Sequence, residues 1–144
     1  MLITAPSAVH AQPIAYVTNF GTGSVSLIDI TSRTLLKTIP VGSAPAGVAV
    51  TPDGRAVYVT NEASNSVSVI TTASQTVTDT IHVGMAPLGI EITPNGAFAY
   101  VANEISNDVS VIETASNRLS IPSRSARTRC QPVWRSHRTV DSST

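Results

Sequence analysis

Tyr16-Val17-Thr18-Asn19 returns as Tyr58-Val59-Thr60-Asn61 and again as Tyr100-Val101-Ala102-Asn103, each time after 42 residues. A second signature keeps the same step: Val25-Ser26-Leu27-Ile28, Val67-Ser68-Val69-Ile70 and Val109-Ser110-Val111-Ile112. Aligning 41–75 with 83–117 gives 21 identities over 35 positions, so these are copies of one supersecondary unit. A chain built this way folds by stacking the unit on itself, and the reading of one copy serves for all.

Within a copy, helix signals are absent and short β-rich runs alternate with turn chemistry. Ala46–Val50 carries apolar residues at period two and ends in Thr51-Pro52-Asp53-Gly54, matched by Thr93-Pro94-Asn95-Gly96. Proline presets φ, Asp or Asn bonds its own backbone, and Gly takes the left-handed exit, so the tetrapeptide predicts a hairpin. Runs at 57–60 and 67–70 and around 77–83 complete a four-stranded antiparallel meander. A sheet of this kind, apolar on both faces, must be sandwiched between neighbours. Four strands per repeat of about 40 residues is the pattern of a β-propeller blade.

The Tyr-Val-Thr-Asn strand, the Thr-Pro-Asp-Gly hairpin, the Asn-Ser-Val-Ser-Val-Ile strand and the linkers from Val41-Gly42 to Pro45 and Val83-Gly84 to Pro87 resemble the YVTN family of β-propeller repeats over residues 14–121. The WD-repeat pattern does not fit, since no Trp-Asp or Gly-His pair recurs at this spacing. The resemblance implies a propeller fold. It also implies kinship with lactonase-like propellers and with bacterial and archaeal proteins that are often extracytoplasmic and include surface-layer proteins.

The expected architecture is all-β: the last three strands of one blade, one complete blade and the first three strands of a third, an incomplete propeller of fewer than three blades. Its exposed end faces are expected to self-associate. Residues 1–13 read as a leader or the remnant of a secretory signal. Ser7-Ala8-Val9-His10-Ala11 looks like a cleavage site, but the apolar stretch that should precede it is absent, which places the start upstream and the protein outside the cytoplasm. No apolar run is long enough for a membrane-spanning helix.

Charge changes sign where the repeat stops. Residues 1–117 carry three basic groups (Arg33, Lys37, Arg55) against eight acidic ones, whereas 118–144 carry six Arg against Asp141. A basic tail at 122–144 reads as a disordered arm or as an out-of-frame translation of a further blade. The second reading accounts for more. Codons for Gln131 to Val140, taken from the third base, permit Ala-Gly-Val-Ala-Ile-Thr-Pro-Asp-Gly, close to the phase at which the hairpin strand is due. On that reading the Arg enrichment, Cys130 and Trp134 share one cause, and no nucleic-acid partner is expected.

Repetition separates structure from chemistry, because a residue present in each copy serves the blade. Asn19, Asn61 and Asn103 therefore read as turn-bonding residues. Glu62 with Asn65, and Glu104 with Asn107, put carboxylate and amide oxygens into equivalent loops, and Glu91 replaces Ala49 in the innermost strand, where a propeller faces its channel. These five are the candidate contacts for a protein or small-molecule ligand. With one Cys and with His10, His82 and His137 scattered, no metal-ligand spacing occurs. No Gly-x-Ser-x-Gly elbow, phosphate loop or Cys-x-x-Cys-His haem site is found either. The expectation is a non-enzymatic binding or scaffold module with no cofactor, metal or catalytic residue. The alternatives are a fragment of a lactonase-like or metal-binding propeller enzyme, and a surface-layer structural protein.

Overall fold

The computed structural model describes residues 2–4 and 13–120. Three antiparallel sheets of four strands follow one another along the chain. The first holds β1 (Leu2–Thr4), β2 (Ile14–Asn19), β3 (Ser24–Asp29) and β4 (Thr34–Pro40). The second holds β5 (Pro45–Val50), β6 (Ala56–Asn61), β7 (Ser66–Thr71) and β8 (Thr76–His82), and the third β9 (Pro87–Ile92), β10 (Phe98–Asn103), β11 (Asp108–Glu113) and β12 (Arg118–Ser120). Strands pair in chain order within each sheet, so the unit is the expected meander.

The count of strands in the outer copies is corrected. Leu2–Thr4, part of the segment read as a leader, pairs with Ala15 to Val17, and Arg118–Ser120 pairs with Val111 to Glu113. Each flanking sheet therefore has four strands, not three. These short strands carry no repeat signature of their own, and pairing with the neighbouring strand defines them. Residues 1 and 5–12 of the leader segment and the tail at 122–144 lie outside the described residues.

Turn chemistry sets the register. Thr51 Oγ1 donates to Asp53 Oδ1 at 2.6 Å, the Arg55 N–H donates to the same oxygen at 3.0 Å, and Gly54 exits at φ 70°. Thr93, Asn95 and Gly96 repeat this arrangement with φ 73° at the glycine. Gly23, Asn65 and Asn107, equivalent positions of the next turn, all take positive φ, as the Gly/Asn alternation requires.

Two apolar cores lie between sheets. Tyr16, Val25, Leu27 and Ile39 of the first sheet meet Val48, Val57, Val59 and Ile70 of the second. On its other face the second sheet packs Tyr58, Val67, Val69 and Ile81 against Ile90, Ala99, Val101 and Ile112 of the third. The middle sheet is thus covered on both sides. The five residues from Val57 to Asn61 in β6 are all buried, whereas β10 alternates buried and exposed along its length. Equivalent strands of the repeat reach different burial because burial depends on the neighbour.

Candidate functional site

Asn61 ends β6 beside the linker that enters its own sheet. Its Nδ2 donates to Ser66 Oγ (3.1 Å) and Ser68 Oγ (2.9 Å), and its Oδ1 accepts the Gly42 N–H at 3.1 Å. The linker must be glycine there, since a Cβ on Gly42 would stand 2.6 Å from Asn61 Cγ. Asn19 makes the same serine bonds to Ser24 and Ser26. The recurring Asn ties strand to strand through its side chain, and Asn61 also ties its strand to the linker, a wider role than turn-bonding alone.

Thr60 joins neighbouring sheets. Its hydroxyl accepts the Gly47 N–H at 2.7 Å and donates to the Leu88 carbonyl of the third sheet at 2.8 Å. Thr18 donates likewise to the Ala46 carbonyl at 3.1 Å, while the third copy has Ala102 and no hydroxyl.

The five candidate contacts separate into different environments. Asn65 holds a left-handed turn, its carbonyl accepting the Val83 N–H (3.0 Å) and its Oδ1 the Ala86 N–H (2.9 Å), so its oxygens fasten the linker to the third sheet. Asn107 repeats the left-handed turn and is exposed, with Nδ2 3.4 Å from the Ile105 carbonyl. Glu62 is half-buried and Glu104 exposed; their backbone N–H groups bond the Ala44 and Ala86 carbonyls of equivalent linkers. Glu91 is exposed on β9, in register with Tyr100. Glu104 and Asn107 line one open hollow of about 480 Å³ together with Leu88, Asn103, Asp108 and Val109. Among the described residues no group of three or more His, Cys, Asp or Glu is brought together to hold a metal.

Asp108 is not among the five candidate contacts, although its departure from Ser24 and Ser66 is a readable signal. Its Oδ1 accepts from Asn103 Nδ2 and from Ser106 Oγ, both at 2.8 Å. The Gly84 N–H, meanwhile, turns to Ser110 Oγ at 3.3 Å, and the buried Asn103 Oδ1 has no partner among the described residues.

A second cleft, of about 360 Å³, opens between the second and third sheets at the hairpin end, lined by Thr51, Asp53, Arg55, Tyr58, Asn95 and Thr114 among others. Tyr58 Oη donates to Asn117 Oδ1 (2.5 Å), and Asn117 Nδ2 donates to Asp79 Oδ2 (2.7 Å), which bridges the two sheets. Burial, then the Asp79 and Asp53 charges, push the Tyr58 hydroxyl up to about 12. The Thr51 hydroxyl and the Arg55 N–H hold Asp53 below the usual carboxylate range. Around neutrality Tyr58 is a protonated donor and Asp53 an anion, so neither titrates where an acid or base would work.

A family model for the lactonase seven-bladed β-propeller matches residues 14–131. The chain belongs to that family. Its lactonase-family fold is shared with solved structures. Hydrazine synthase from Kuenenia stuttgartiensis is 33% identical over 74% of this chain and 31% of its own, with a TM-score of 0.72. Dihydro-heme d1 dehydrogenase, 18% identical, covers 74% of this chain and 23% of its own at TM-score 0.67. A Bacteroides fragilis protein assigned as a 6-phosphogluconolactonase, 23% identical, covers 74% and 34% at TM-score 0.66. The last two show the fold alone. None of the curated proteins matches. The lactonase-family chain spans 23–34% of these structures' length.

Proposed function

We propose that this lactonase-family propeller array, with repeats of the YVTN type, acts outside the cytoplasm by binding, as a recognition or scaffold module. The observation that carries the reading is how polar groups divide. Asn61, Thr60, Asn65 and Tyr58 are committed to joints within and between sheets. Glu62 and Glu104 recur at equivalent turns, and Glu104, Asn107 and Asp108 surround an open hollow. Loops fixed on a rigid sheet framework present such a surface to a partner without a group whose pKa is tuned for proton transfer. The acidic turns suit a protein or small molecule with cationic or hydrogen-bond-donating groups.

The family match favours a second reading, in which these sheets form part of a lactonase-type site and Glu91 faces the substrate. Incubating the 144-residue chain with a glucono-lactone and following proton release distinguishes the two. Binding alone predicts ring opening no faster than in buffer. Turnover that disappears in Glu91→Gln establishes the enzymatic reading.

A further inference from the structure

Each sheet has a forward face that meets the next sheet and a back face that meets the one before. Tyr16 and Val25, then Tyr58 and Val67, are buried on forward faces, at no more than 1% exposure. Their copies on the third sheet, Tyr100 and Val109, are 45% and 53% exposed. At the other end, Val17 and Ile28 are the back-face copies of Val59 and Ile70; they are half-buried where Val59 and Ile70 are fully buried, and only Ala15 among them is covered.

We propose that the forward face of the third sheet docks on the back face of the first sheet of a second copy of this chain, so that two chains join head to tail. This goes beyond the binding role above and does not rest on it. The two surfaces are copies of the pair that already packs twice within the chain, so the joint continues an established interface with the same Tyr and Val against the same Val and Ile. A face-to-face dimer through two third sheets would set forward against forward, a pairing the chain uses nowhere. Removing these side chains from water drives the association. The joint has one hydrogen bond fewer than the internal ones, because Ala102 stands where Thr18 and Thr60 donate across to the next sheet. It is therefore the weakest joint of the array and reversible. A heterologous joint of this kind closes into a ring if the rotation allows and otherwise grows.

Sedimentation velocity of the full chain over a wide concentration range tests it. The parent associates. Val109→Asp on one face, or Val17→Asp on the other, each shifts the association midpoint by at least about tenfold in concentration. An equimolar mixture of the two variants recovers a dimer, because one joint then pairs two unaltered faces. Tyr100→Lys and Ile28→Thr, with far-UV circular dichroism to verify folding, stand in if either Asp variant unfolds. A parent that stays monomeric overturns the proposal, whether residues 121–144 cover the face or nothing does. So does association that survives Val17→Asp, which would mean face-to-face pairing, or association indifferent to Val109→Asp.

Discussion

Asn61, expected from its recurrence to bond its own turn, reaches further once its partners are known. Three hydrogen bonds to Gly42, Ser66 and Ser68 hold a fully buried side chain. Asn61→Ala leaves the Gly42 N–H and two hydroxyls without a partner and should cost about 2–4 kcal/mol, read from denaturant unfolding. Tyr58 gives a pH signature. Its folded pKa lies at about 12 against an ordinary 10.0, so the neutral form is favoured in the folded state. The stabilisation is complete below pH 10 and is lost as pH rises from there through 12. Tyr58→Phe should flatten this alkaline decline, followed by thermal unfolding across the pH range. The sequence announced the Asn copies because they repeat. It was silent on the Tyr58–Asn117–Asp79 bridge, whose two bonds join residues 59 and 38 positions apart across two sheets, where no local pattern reaches.

At the scale of the strand, composition and burial part company. Val67 and Val109 occupy equivalent positions in β7 and β11, yet the first is fully buried and the second 53% exposed. Val67→Ala removes two buried methyl groups and opens a small cavity, at a cost of about 2 kcal/mol, while Val109→Ala should cost under about 0.5 kcal/mol. Paired denaturation curves check both. The 42-residue step, the hairpins at Pro52 and Pro94 and the meander were all legible, since turn chemistry and period-two alternation are local. The strands β1 and β12 were not, because three residues each without a motif become strands only by pairing with β2 and β11. Glu91 was singled out as a departure from Ala49, and the structure sets it opposite an exposed Tyr100, so its surroundings depend on what covers the third sheet.

The described residues form a short one-dimensional stack, in which each sheet is stabilised by its neighbours; among them the second sheet has a neighbour on each face and the first and third have one each. The second sheet is packed on both faces and is tied backward by Thr18 and forward by Thr60. The third has one packed face among the described residues, and Ala102 carries no hydroxyl where Thr60 ties the second sheet forward. Native-state hydrogen exchange, at concentrations where the chain is monomeric, should therefore show the slowest amides in β6 and β7 and faster exchange in β10 and β11, although these strands occupy equivalent positions of the repeat. Thr60→Val keeps the volume but removes both the donor to Leu88 and the acceptor of the Gly47 N–H, so it should speed exchange at the Gly47 end of β5 and in β9 to β11 while β2 and β3 stay unchanged. Equal protection in β6 and β10, or a uniform loss after Thr60→Val, would mean that the three sheets open as one cooperative unit and that the joints between them are as strong as the sheets themselves.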